Sequence, residues 1–161
     1  MTPTELHVFD FDGALYNSPR PLIDRQSFWH SPKSLQGYGV PGEDPRWIIP
    51  TVMAAKRAIA RPEVVAVLCT ARPLRGSLQA ILKRMLYGAG LTFDHYALKP
   101  AWPLRTTPTY KAGQVHHWLL KYPTVSYVAF WDDLPENLVA VGDVVRSHGL
   151  GYRPTLTPGL T

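Results

Sequence analysis

The chain is poor in cysteine, in long apolar runs and in acidic residues. Cys69 is its single cysteine among 161 residues. That excludes an internal disulfide framework and fits a reducing compartment, so the cytoplasm is the expected location. No apolar run approaches the roughly 20 residues needed to cross a bilayer, so no membrane role is expected. The opening "MTPTELHVFD" lacks a basic segment followed by an apolar one, so no signal peptide is read there. There is no internal repeat and no low-complexity block. Acids are also scarce, with 12 Asp and Glu against 17 Lys and Arg. Such a balance favours a polyanionic partner, although a mildly basic surface is also common in ordinary enzymes.

What is present is a soluble, globular composition, 45% apolar and 18% charged. The length suits one domain, 1–161, with a real core. Short apolar runs at "ELHVFDF", "EVVAVLCT" (63–70) and "VSYVAFWDD" (125–133) read as buried parallel strands, with "FDHYALKP" (93–100) a weaker fourth. Helical spacing separates them. Ile48, Val52, Ala55 and Ile59 share one face, as do Leu78, Ile81, Leu82, Met85 and Leu86. Val115, Trp118, Leu119 and Tyr122 form a third stripe, and "LPENLVAVGDVVRSHG" a fourth helix. Alternating strands and helices predict an α/β fold, an open parallel sheet with helices on both faces. The Pro- and Thr-rich tail, 152–161, reads as irregular.

Open parallel sheets bind ligands at the carboxyl ends of their strands. Asp10, Asp12, Thr70, Asp132 and Asp133 all fall at such ends. Converging carboxylates repel unless a counter-charge joins them. Hard oxygen donors in a small site point to Mg²⁺. The alternative for any one aspartate is a polar strand end or helix N-cap.

These residues carry a family resemblance. "VFDFDGAL" resembles the first motif of haloacid dehalogenase (HAD) superfamily phosphohydrolases. "VLCTARP" resembles the second, and Lys111 in "TPTYKAGQV" the third-motif lysine. "VAFWDDLPEN" resembles the fourth. They occur in family order over residues 6–137. The details "TAR" and "WDDLPEN" look closest to Swiss Army Knife RNA repair-like HAD domains and to the 3'-phosphatase modules of polynucleotide kinase–phosphatases. Ala14, where Thr or Val is usual, and Leu134, where Arg is frequent, depart from the pattern.

The resemblance implies a HAD-like Rossmannoid three-layer sandwich and a Mg²⁺-dependent phosphatase. Asp10 would attack phosphorus and form an aspartyl-phosphate. Asp12, on the same side of an extended backbone, would serve as general acid and then base. Gly13 would allow a sharp turn beneath the phosphate. Thr70 and the Ala71 amide would donate to phosphoryl oxygens. Lys111 would neutralise charge and also bind the phosphate, with Lys99 the alternative lysine. Arg72 is placed to clamp a substrate phosphate, or else is a surface residue at a helix entry; Arg75 is a weaker candidate. Asp10, Asp12 (through its carbonyl), Asp132 and Asp133 would hold the metal. His116 and His117 have no ligand-spaced partner and read as solvated or half-buried. Cys69 reads as core.

Residues 15–44 are too few for a cap domain of the kind that closes over small substrates, so no large cap is expected. They read as a short flap with Arg20, Arg25, Trp29, His30 and Lys33. Trp29, Trp47 and Trp102 are candidates for base stacking or for packing. An open site favours the end of a large substrate, a nucleic-acid 3'-phosphate of DNA or RNA, with a separate kinase or ligase as a possible partner. Phosphatases of nucleotides, metabolites or phosphoproteins, and a non-catalytic binding module, are the alternatives.

Overall fold

In a computed structural model the chain is described over residues 2–19, 25–35 and 41–161, with 25–27 described by their backbone alone. Arg20 and the Arg25 side chain lie outside the described residues. Five strands form one parallel sheet: β1 (Glu5–Phe9), β2 (Val64–Pro73), β3 (His95–Lys99), β4 (Tyr127–Asp132) and β5 (Gly151–Leu156), in the order β3-β2-β1-β4-β5. The helices are α1 (Arg25–His30), α2 (Ile49–Ile59), α3 (Gly76–Gly88), α4 (Thr107–Lys121) and α5 (Pro135–Ser147), with a 3₁₀ turn at Pro32–Leu35.

Side-chain alternation along the strands builds two cores. Phe9, Ala66, Leu68, Ala129 and Trp131 face α2 and α3, which contribute Val52, Ala55, Leu78, Leu82 and Leu86. Leu6, Val8, Val65, Val67, Cys69 and Phe130 face α4 and α5, which contribute Val115, Trp118, Leu119, Val141 and Val145. Both faces are covered, which is why these strands read as nearly continuous apolar runs. Among the described residues no helix is long and apolar enough to cross a membrane.

The structure corrects the reading of the tail. Residues 151–156 pair in parallel register with β4 from Tyr127↔Gly151 to Asp132↔Leu156. An edge strand tolerates Pro154, because one side of it needs no ladder partner. Beyond it, residues 157–161 are irregular but tied down. Thr157 Oγ1 and the Gly159 N–H donate to Gly13 O at 2.8 and 3.1 Å. Within the flap, the described residues form α1 and the 3₁₀ turn. It holds no large cap among the described residues.

The sheet order reverses at β1, whose neighbours are β2 and β4. Ligand crevices in open α/β sheets form at such a switch point. The carboxyl ends of β1 and β4 meet there.

Candidate active site

Asp10 follows β1 directly, and its N–H still donates to Trp131 O at 3.0 Å. Its position continues the Leu6 and Val8 face, the side covered by α4. Asp132 ends β4 on the same face as Val128 and Phe130. Lys111 reaches both from α4. Its Nζ lies 3.0 Å from Asp10 Oδ1 and 2.5 Å from Asp132 Oδ2. Lys111 and Asp132 are fully buried and Asp10 nearly so. Lys99, the alternative, ends β3, two strands away from β1.

Asp132 is also fixed from α5. Its Oδ1 accepts from the Leu134 N–H and from Asn137 Nδ2, both at 2.9 Å. Asp133 lies over Gly13. A Cβ built on Gly13 would sit 2.4 Å from Asp133 Oδ2, and Gly13 has φ +76°. Glycine is therefore required twice, for its backbone conformation and for the room it leaves. The Gly13 N–H is committed to Tyr16 O at 2.8 Å, so its contribution here is the turn.

Oxygens of Asp10, Asp132 and Asp133 lie within 4.8 Å of one another. Burial pushes the Asp10 carboxyl well above the usual carboxylate range; Lys111 opposes that shift, and the neighbouring acids add to it. Burial, then the Asp132 charge, push Asp133 up to about 6. Burial alone would lower the Lys111 ammonium, but Asp10 and Asp132 outweigh it and hold it above its ordinary value. One buried cation thus faces three carboxylates.

Asp12 does not continue the strand. The chain turns at Phe11, whose carbonyl accepts from the N–H groups of Ala14, Leu15 and Tyr16. Asp12 Oδ2 accepts from Arg72 Nε at 2.9 Å and Oδ1 from Arg72 Nη2 at 2.8 Å. Ser18 Oγ donates to Oδ1 at 2.5 Å. Arg72 Nη1 donates to Ser34 Oγ at 2.6 Å, and the guanidinium carbon lies 4.7 Å from the Trp29 ring centre. Arg72 is therefore buried and engaged with Asp12 and the flap.

Thr70 lies inside β2, fully buried, and its Oγ1 accepts from the Arg72 N–H at 3.1 Å. Ala71 is exposed. A cleft of about 470 Å³ opens at this end of the sheet, lined by Asp10, Asp12, Ala71, Arg72, Lys111 and Asp133 among others. Trp47 is buried against Tyr16, so it packs rather than stacks on a ligand. His116 pairs with His148, Nδ1 to Nε2 at 2.9 Å, away from the cleft.

The chain matches, over residues 13–148, HAD domain family 1 in Swiss Army Knife RNA repair proteins. It belongs to that family. No curated protein matches it. Among solved structures, this HAD domain is similar to a chain of the Pnkp1/Rnl/Hen1 RNA repair complex, with 16% identity and a TM-score of 0.62 over 97% of this chain. It spans 43% of that longer chain. The HAD domain of the Legionella pneumophila effector Lem4 is similar over 98% of this chain and 88% of its own, at 14% identity and TM-score 0.58. The L. pneumophila effector Ceg4 is similar over 99% and 89%, at 16% and 0.59. At these identities the likeness is one of fold.

Asn137, Ser18 and Ser34 are site neighbours that sequence reasoning missed. Asn137 had a usable signal, since it lies in the first turn of the helix that follows directly on Asp132 and Asp133 in "DDLPEN". Ser18 and Ser34 had none, because their partners are set by the path of the flap.

Proposed function

We propose that this HAD domain is a Mg²⁺-dependent phosphatase that works through an aspartyl-phosphate and removes terminal 3'-phosphates from nucleic acid. The observation that carries the reading is the Lys111 bridge between Asp10 and Asp132 beside Asp133. It leaves surplus negative charge at the switch point of the sheet.

The residues present fit a hard divalent ion. Three carboxylates converge there, and the buried Asn137 Oδ1 has no partner among the described residues. Asp10, Asp132 and Asp133 would hold the ion; the Asp12 side chain is turned to Arg72 and Ser18, leaving only its carbonyl. A bound Mg²⁺ supplies charge neutralisation, letting an anionic phosphate approach an anionic nucleophile.

Asp10 forms an O–P bond as the ester O–P bond breaks, and Asp12 gives the departing oxygen its proton. Water then attacks the phosphoryl group and passes a proton to Asp12, freeing phosphate and restoring Asp10. Arg72 and Ser18 hold the Asp12 carboxyl in place for both transfers. Asp12 enters the first step protonated, and the proton taken from water in the second restores that form. Lys111 orients Asp10, while the Thr70 hydroxyl and the Ala71 N–H are the donors assigned to phosphoryl oxygens.

The described residues hold no large cap over the cleft, which supports a polymer end as substrate. The family's RNA repair setting supports a separate kinase or ligase as partner. The buried free thiol of Cys69 supports a reducing, cytoplasmic setting. The test is a substrate panel in Mg²⁺: 3'-phosphorylated and 5'-phosphorylated oligonucleotides, a nucleoside 3'-monophosphate and p-nitrophenyl phosphate. Highest kcat/KM on the 3'-phosphorylated oligonucleotide is expected. Equal values for mononucleotide and oligonucleotide reject the nucleic-acid part; no hydrolysis of any ester rejects the phosphatase.

A further inference from the structure

Charge is distributed unevenly along this chain. Residues 64–131 hold eight Lys and Arg but a single acid, Asp94. Asp94 sits at the far end of the sheet, where its Oδ2 accepts from the Ala66 N–H near the start of β2 at 2.8 Å. At the cleft end of the same strands, segments 73–76 and 99–107 carry Arg75, Lys99 and Arg105 and no carboxylate, and Arg105 Nη1 lies over Gly113 of α4.

These two segments are physically joined. The Leu74 N–H donates to Lys99 O at 2.8 Å, and Pro73 is in register with Lys99. Pro73 and Thr107 both line the cleft that holds Asp10. The surface between them is therefore continuous with the site. Every residue from Ala101 to Thr106 is exposed. Trp102 is 82% exposed and Leu104 85%, and Leu74, bonded to Lys99 at the end of β3, is 51% exposed. Of the other tryptophans, Trp47, Trp118 and Trp131 are buried and Trp29 lies against Arg72. Trp102 alone presents most of its indole to solvent.

A large aromatic ring left in water, on segments that carry basic residues and no acid, matches what a single strand requires. Its backbone needs cations, and its bases need a flat apolar face. We propose that the β2 end and the β3–α4 loop form the docking surface for a single-stranded polynucleotide whose terminal phosphate enters the cleft, with Trp102 as the stacking platform and Arg75, Lys99 and Arg105 as phosphate contacts. This deepens the nucleic-acid part of the proposed function and rests on it. It also assigns the strand to the β3–α4 side of the cleft rather than to the flap alone.

The test is equilibrium binding of a fluorescein-labelled single-stranded oligouridylate of about ten nucleotides to the full chain, in EDTA and without a terminal phosphate, so that neither metal nor turnover enters. Trp102→Ala should weaken binding about tenfold. Arg75→Gln with Arg105→Gln should weaken it further and lower the slope of log affinity against log salt by about 0.7 per lost contact. Hydrolysis of p-nitrophenyl phosphate by the same variants should stay within about twofold of wild type, since none of these residues meets the reacting atoms. Strand binding that is absent in the wild type, or unaltered in all variants, overturns the docking surface and leaves the patch to a protein partner. In that case p-nitrophenyl phosphate hydrolysis still decides the phosphatase reading separately.

Discussion

The Arg72 guanidinium grips both carboxylate oxygens of Asp12, with Nε 2.9 Å from Oδ2 and Nη2 2.8 Å from Oδ1. The sequence reading placed Arg72 on a substrate phosphate, or on the surface at a helix entry. It is not on the surface: Arg72 is buried, lines the cleft, and donates from Nη1 to Ser34 in the flap. The flap therefore reaches the proposed acid/base residue through one side chain.

Arg72→Lys should separate those contacts. An ammonium is a point donor and cannot hold two carboxylate oxygens and Ser34 in one plane. Activity should fall about 10- to 100-fold, within the range that positioned acid–base groups contribute. If Asp12 activates water in the second step, as proposed, the covalent phosphoenzyme should accumulate in the variant. Rapid-quench measurement of bound phosphate checks this; an equal slowing of both steps with no accumulation contradicts it.

Asp133→Asn tests the proposed metal site with a readout apart from activity. Burial and Asp132 raise the Asp133 carboxyl to about 6, so its charge is unfavourable in the metal-free fold at neutral pH. The variant should melt at a higher temperature than wild type in EDTA. Mg²⁺ should raise the wild-type Tm, since it binds only the folded chain, and should raise the variant's much less. Equal Mg²⁺ shifts in both proteins remove Asp133 from the metal's ligands.

His7 makes stability depend on pH. It lies buried beside Trp131 and donates from Nε2 to Glu5 at 2.8 Å, while Nδ1 has no partner among the described residues. Burial lowers its pKa from 6.5, against the smaller pull of Glu5. The unfolded chain then binds the proton more readily than the folded one. Its contribution is fully present above about pH 6.5 and is lost as pH falls, by at most about 1.4 kcal/mol per unit. Urea unfolding at about pH 7.5 and 5.5 should show a larger loss for wild type than for His7→Gln. Equal losses contradict the assignment.

Much of this architecture was legible because burial on both faces leaves its mark on composition. β1 and β4 are apolar runs that lead into Asp10 and Asp132, and their parallel order brings those two ends together, while the apolar run that stops at Thr70 continues as strand to Pro73. The four long helices declared themselves through their apolar stripes. β5 was hidden because an edge strand needs neither apolar alternation nor a proline-free backbone, and Gly151–Leu156 has only exposed and half-buried residues. Asp12 was read as a continuation of β1, but the turn at Phe11 redirects it to Arg72. That pairing spans 60 positions and is set by tertiary packing, which local periodicity does not encode. Gly13 was read for its turn, whereas the space it leaves for Asp133 depends on a strand more than a hundred residues later.

The central claim is that Asp10 takes the phosphoryl group. The direct measurement is acid-quenched turnover of an oligonucleotide carrying a radiolabelled 3'-phosphate, followed by peptide mapping. Wild type should yield an acid-stable, hydroxylamine-labile label on the peptide that contains Asp10, and Asp10→Asn should yield none while losing at least about 10³-fold in kcat. Label retained by Asp10→Asn, or rapid turnover by that variant, would contradict the account.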